Sequence, residues 1–148
     1  MNKYIKEFDF YERYHRNSIN KILHVIGIPT IVWSVLLYTH RIKIANIKLS
    51  NILYFYHLVK YMKINIHLGF LSSFFYYIIY THSYEFYLKN KSLKYVIYPQ
   101  IFGWLLQFYG HIFHERNSPA ILTSVKQSLT LAPLFVVNEI DLCLSRYI

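Results

Sequence analysis

Charged residues divide this chain into long apolar stretches of similar length. Nineteen uncharged residues separate Lys21 from Arg41, twenty-one separate Lys63 from Glu85, and twenty separate Lys94 from Glu115. Each run is close to the roughly 20 residues that a helix needs to cross about 30 Å of hydrocarbon, so three spanning helices are predicted. Two further segments are open to more than one reading. Residues 46–62 hold Lys48 and Lys60 near their ends, which suits either a short span or a helix at the membrane surface whose lysines reach the headgroups. Residues 119–140 carry Lys126, Gln127 and Glu139 and are expected to pack against the third run. The fold expected is all-α: a multi-span helical membrane bundle of three to five membrane or interfacial helices, forming one domain over residues 1–148.

Punctuation along the chain refines these elements. Asn17 or Ser18 before Ile19, and Ser118 before Pro119, are residues that cap helix N-termini. Pro29, with Gly27 close by, and Pro133 fall inside apolar runs and predict a kink or an interruption at each. Residues 1–17 are polar and mixed in charge; they read as a short amphipathic N-terminal helix, not as a signal peptide, so the first span is expected to direct its own insertion.

Polar groups inside the apolar runs are the candidates for chemistry, because burying them without partners costs several kcal/mol. Gln107, His111 and Glu115 recur every four residues, and on an α-helix such positions drift only about 40° per step and share a face. His15 and His24 are nine residues apart; on one straight helix they would be rotated by about 900° and point to opposite sides. If both serve one site, the helix must break between them, and Arg16, Asn17, Ser18 and Asn20 supply residues that compete for backbone hydrogen bonds there. A first helix ending near His15 and a second starting near Ser18 are therefore predicted. His40, His57, His67 and His82 lie near the ends of apolar runs, where a histidine suits the water boundary. Of these, His82 is the strongest candidate for an additional ligand, and His114 lies within about 60° of His111 on the same helix.

Composition agrees with the pattern. The chain is 55% hydrophobic and 20% aromatic but only 16% charged, a balance that points to a membrane. Sixteen tyrosines, many near the ends of the runs, fit rings seated at the membrane boundary. The net charge of +9 comes from lysines and arginines scattered among the loops, with no run or stripe, which argues against nucleic acid as a partner. Five basic residues precede the first run and five lie between Arg41 and Lys63, so the charge rule does not choose an orientation. A single cysteine, Cys143, excludes an internal disulfide and any multi-cysteine metal site. A bound metal would have to use nitrogen and oxygen.

The two polar clusters together resemble the endoplasmic-reticulum 2-hydroxy fatty acid dioxygenases, a family of small multi-span proteins dependent on ferrous iron. The resemblance is carried by His15, Asn17, Asn20, His24 and Pro29, then by Gly103, Trp104, Gln107, Phe108, Gly110, His111, Glu115, Pro119, Ala120, Ala132, Pro133, Phe135 and Glu139. It implies Fe(2+) held by His15, His24 and His111, with Glu115 either a fourth ligand or an acceptor that orients an imidazole. Asn20 and Gln107 would hold the substrate carboxylate or a water, and Glu139 would fix a basic residue from across the bundle. Arg116 is the natural partner of a carboxylate head group. The implied reaction joins dioxygen to a long-chain 2-hydroxy fatty acid and cleaves C1 from C2, leaving an acid one carbon shorter. Imidazoles with a carboxylate and open positions suit such chemistry, since iron must hold substrate and dioxygen together. Phe102, Trp104, Leu105, Phe108 and Tyr109 are candidates to line a channel for the acyl chain. The resemblance implies a multi-pass protein of the endoplasmic-reticulum membrane and leaves the oligomeric state open. Two other readings stand beside it: a non-catalytic helical scaffold or carrier whose polar face glues helices together, and a bis-histidine haem protein.

Overall fold

The computed structural model describes residues 15–115 and 125–145, with the side chains of 125–129 left out. Five helices make up most of it: α1 Ser18–Thr39, α2 Leu49–Ile64, α3 Ile66–Lys89, α4 Lys94–Tyr109 and α5 Val125–Leu144. Helix α4 continues directly into a π-helical segment, Gly110–Glu115. The break predicted between His15 and His24 is present. His15 to Asn17 are not helical, and Asn17 caps α1, its side chain accepting from the backbone N–H groups of Ile19 and Asn20. The amphipathic helix expected before His15, and the cap expected at Ser118 and Pro119, fall outside the described residues.

One short strand pair departs from the all-helical expectation. Strand β1, Lys43–Ile44, pairs antiparallel with β2, Ile47–Lys48, through a two-residue turn in which Ala45 and Asn46 both adopt positive φ, 47° and 67°. That conformation is the hairpin turn that matches strand twist, and asparagine tolerates it better than most residues. Asn46 was its only sequence signal.

Neither proline stops its helix. Pro29 lies within α1 and Pro133 within α5, and both helices run through. A proline removes one backbone hydrogen bond, and here neighbouring packing holds the helix around that gap. Gly27, two residues earlier, marks a close approach instead of a break: a Cβ there would sit 3.0 Å from the carbonyl oxygen of Gly103 on α4 and would collide with Gln107 Nε2. The reciprocal Cβ on Gly103 would meet the Gly27 carbonyl at 2.9 Å. Helices α1 and α4 thus pack backbone against backbone, the use of small residues typical of membrane bundles. Helices α3 and α5 also pack on α1, and α2 pairs with α3.

The distribution of polarity is inverted relative to a water-soluble bundle. Among the described residues, eleven buried polar or charged side chains share the interior with eleven buried hydrophobic ones. Meanwhile Ile22 and Ile26 of α1, Phe70, Phe74 and Ile78 of α3, and Ile101, Phe102 and Leu105 of α4 face outward. Apolar surface on this scale is expected to be covered by something other than water. By length and composition, α1 is long and apolar enough to cross a membrane, and it is the one such helix among the described residues. The second charge-free run lies in the 24-residue α3, where Ser72, Ser73, Thr81, His82 and Ser83 dilute its hydropathy. The third is shared between the 16-residue α4 and the π-helical segment.

Candidate metal centre

Three elements meet at the start of α1. His15 sits on the extended residues just before the helix, His24 on its second turn, and His111 on the π-helical segment. All three are buried, at 1%, 1% and 3% exposure, and each contributes one ligand-competent atom to a group lying within 4.8 Å of one another. Their ring centroids are 4.4 Å apart for His15 and His24, 4.9 Å for His15 and His111, and 5.0 Å for His24 and His111. Phe135 of α5 closes the cluster, its ring 4.7 Å from that of His15 and 6.3 Å from that of His24.

The bonding around these rings decides how they present their nitrogens. His24 Nδ1 lies 2.9 Å from the carbonyl oxygen of Asn20, one turn back in the same helix. A carbonyl only accepts, so Nδ1 carries the proton and Nε2 is left with a lone pair. That Nε2 lies 2.9 Å from His15 Nε2. Two donors bound to one first-row ion at about 2.1 Å and at right angles stand roughly 3 Å apart, so this spacing fits adjacent ligands. His111 Nδ1 is buried without a hydrogen-bond partner, a state that costs free energy in a protein interior and that coordination would relieve. An all-imidazole donor set with a polar surround fits a divalent first-row metal.

Glu115 stands beside the cluster in a supporting position. Its Oε1 accepts from the backbone N–H of Asn17 at 2.8 Å and from Asn20 Nδ2 at 3.1 Å. The carboxylate also lies at the N-terminus of α1, where the helix dipole favours negative charge. The metal-competent group among the described residues comprises the three histidines. Asn20 is fully buried, and since its amide nitrogen is turned to Glu115, its Oδ1 remains as a buried acceptor with no partner. Gln107 Nε2 reaches the carbonyl of Leu23 at 3.4 Å, joining α4 to α1. Gly110 has to be small, because a Cβ there would collide with Asn20 Oδ1.

The remaining candidates lie apart from the rings. Glu139 forms an ion pair with Lys21 at 2.7 Å, so the basic partner expected for it is a lysine of α1. His82 Nδ1 accepts from Trp33 Nε1 at 2.9 Å, His114 packs on Tyr109, and His67 pairs with Asp141 at 3.2 Å. His40, expected at the water boundary, is instead buried at 1% exposure among Tyr80, Tyr84 and Tyr87, because the hairpin and α3 fold over the end of α1. Arg116 falls outside the described residues. Of the positions proposed for an acyl channel, Phe102, Leu105, Phe108 and Tyr109 are on the outer surface. Sequence reasoning did not assign Lys21, or Phe135 as the cover of the rings; the Asn17 and Asn20 pair was legible only as a helix start.

A profile of the family described as "2-hydroxy-palmitic acid dioxygenase Mpo1-like" matches residues 1–142. The chain belongs to this family. It is similar to the 2-hydroxy-palmitic acid dioxygenase MPO1 of Saccharomyces cerevisiae, with 32% identity over 139 residues that cover 90% of this chain and 76% of the yeast protein. No solved structure matches. In this Mpo1-like chain, the matched stretch includes both the loop bearing His15 and the π-helical segment bearing His111. The imidazole cluster thus lies wholly within the region shared with the family.

Proposed function

We propose that this chain is a ferrous-iron-dependent dioxygenase of the endoplasmic-reticulum membrane that cleaves C1 from C2 of long-chain 2-hydroxy fatty acids. The observation that carries this reading is the convergence of His15, His24 and His111 on one buried point in a member of a 2-hydroxy-palmitic acid dioxygenase family. His15, His24 and His111 would hold the iron, which supplies electron transfer to dioxygen and open positions for the substrate's oxygens.

The protein's own groups then have distinct tasks. The Asn20 carbonyl holds the His24 ring so that Nε2 faces the cluster. Glu115 holds the Asn17 backbone and the Asn20 amide, and through them the start of α1, in the manner of an outer carboxylate that orients a ligand. Asn20 Oδ1 is an acceptor and suits the hydroxyl proton of a 2-hydroxy acid better than its carboxylate. Phe135 shields one side of the rings, restricting water. Gln107 ties the segment carrying His111 to α1.

A long acyl chain explains why such an enzyme would work in a bilayer, since each buried CH₂ contributes about 0.8 kcal/mol to partitioning. The outward apolar faces of α1, α3 and α4 support three spans, with α2 at the interface or as a short fourth. The haem alternative is less well supported: it needs two imidazoles on opposite faces of a macrocycle, and ring centroids 4.4 to 5.0 Å apart leave no slot for one. The test is metal analysis of anaerobically purified protein together with turnover of 2-hydroxy palmitate. Bound iron and an oxygen-dependent product one carbon shorter are expected; folded protein lacking both would leave the scaffold reading.

A further inference from the structure

The far end of α1 carries a second polar cluster. Sixteen residues separate His24 from His40, about 24 Å along a helix, so this cluster is remote from the imidazoles. Arg41 donates through Nη1 to the carbonyl of Lys91 at 2.7 Å, while its Nε and Nη2 are buried and without a hydrogen-bond partner. These two atoms form one edge of the guanidinium, the fork that binds two oxygens of a phosphate or carboxylate side by side. His40 Nδ1 is likewise buried and unpartnered. The His40 ring is fixed from its other nitrogen, which lies 2.9 Å from Ser83 Oγ. Because the Ser83 hydroxyl gives its proton to the Tyr80 carbonyl, His40 Nε2 is the donor and Nδ1 an acceptor.

Two lysines join the same group of rings. Lys48 Nζ lies 3.9 Å from the ring centre of Tyr84, and Lys91 Nζ lies 3.3 Å from that of Tyr87, on which Arg41 also rests at 6.0 Å. No carboxylate balances them: the two ion pairs among the described residues lie elsewhere, and Glu85 is the one acidic residue between His40 and Tyr95 and is exposed. Cation–π contacts offset only part of the cost of gathering three positive charges.

We infer that the Arg41 fork, flanked by Lys48, Lys91 and His40, is a binding site for a phosphoryl oxyanion. A phosphate monoester near neutral pH carries between one and two negative charges and, in its monoanion, a P–OH. It therefore offers two oxygens to the fork, charge to the lysines and a proton donor to His40 Nδ1, whereas an ionised carboxylate offers no donor. The phosphoryl group comes either from a lipid headgroup at the end of the helix or from free phosphate. The site needs neither iron nor the proposed reaction.

The test uses the full chain in phosphatidylcholine nanodiscs, following the Arg41 Nε–H resonance by ¹⁵N NMR. Inorganic phosphate is titrated in one arm, and phosphatidic acid is doped into the discs in the other. A saturable shift with phosphate assigns the site to the free ion, and a shift only with phosphatidic acid assigns it to the headgroup. Retention of whichever anion binds, measured by native mass spectrometry, is expected to fall about tenfold or more in Arg41→Lys and Arg41→Gln, since neither keeps the fork, and to be unchanged in Lys60→Gln. An Arg41 resonance indifferent to both probes, or retention equal in well-folded Arg41→Gln, would overturn the assignment; the wild-type resonance decides it even where the variants do not fold.

Discussion

Glu115 accepts a hydrogen bond from the backbone N–H of Asn17 at 2.8 Å, across 98 residues of sequence. The same oxygen accepts from Asn20 Nδ2, so one carboxylate joins the end of the π-helical segment to the start of α1, the two elements that carry His111 and His24. Glu115→Ala is expected to cost about 1.5–3 kcal/mol of stability, the range for hydrogen bonds to a charged group, and to weaken iron binding about 10- to 100-fold. Glu115→Gln keeps one acceptor oxygen and should fall between. Melting curves and metal analysis on both variants check this; an alanine variant equal to wild type in both would mean that the tie does not matter.

Each of His15→Ala, His24→Ala and His111→Ala is expected to abolish stoichiometric iron while leaving the helical content intact. Metal content after anaerobic purification and circular dichroism on the same sample measure the two quantities. Iron retained at wild-type level in any of the three variants would remove that residue from the ligand set.

Gly27 and Gly110 make contrasting tests of packing. Adding a methyl group at either overfills a closed contact and should destabilise by about 1–3 kcal/mol. Gly27→Ala pushes on Gln107 and the Gly103 backbone, whereas Gly110→Ala pushes on Asn20, the residue that orients His24. Comparable losses in melting temperature are expected, with the larger loss of iron affinity in Gly110→Ala.

Lys21 and Glu139 hold α5, and with it Phe135, against α1. Their side chains are only 28% and 14% exposed, so removing one partner leaves the other charge poorly solvated. A double-mutant cycle with Lys21→Met and Glu139→Gln should give a coupling of about 0.5–3 kcal/mol. A coupling near zero would show that α5 is held by its apolar contacts alone.

His40 gives a pH dependence of defined sign. Burial first, then the charge of Lys48, push it down to about 4, against an opposing hydrogen bond from the Tyr80 backbone. In the unfolded chain a histidine titrates near 6.5. Between those values the unfolded state takes up a proton that the folded state refuses, so stability falls as pH drops from about 6.5 to about 4. His40→Gln should flatten that part of the curve, read as the difference in unfolding free energy between variant and wild type; identical slopes would contradict the assignment.

Much of the site was legible because its rules are local. The nine-residue spacing of His15 and His24 required a break, and Asn17 supplies the cap that makes it. The four-residue spacing of Gln107, His111 and Glu115 placed them on one face, and all three point toward α1. Non-local features were not legible. Nothing in the pattern distinguishes a proline that breaks a helix from Pro29, which sits in one that continues, because the supporting contacts lie on another helix. His40 read as a boundary residue because its cover, Tyr80, Tyr84 and Tyr87, arrives from α3. The short hairpin rests on two residues at positive φ, of which Ala45 gives no warning.

The wide turn from Gly110 to Glu115 amounts to an α-helix with one residue let in. Excising a single residue there would let the coil tighten and swing whatever follows by about 100° about the axis, carrying the glutamate off the mouth of α1. Length in this stretch is therefore under a constraint of its own: substitutions can be absorbed, but a one-residue gap would re-aim the donors, whatever amino acids remained.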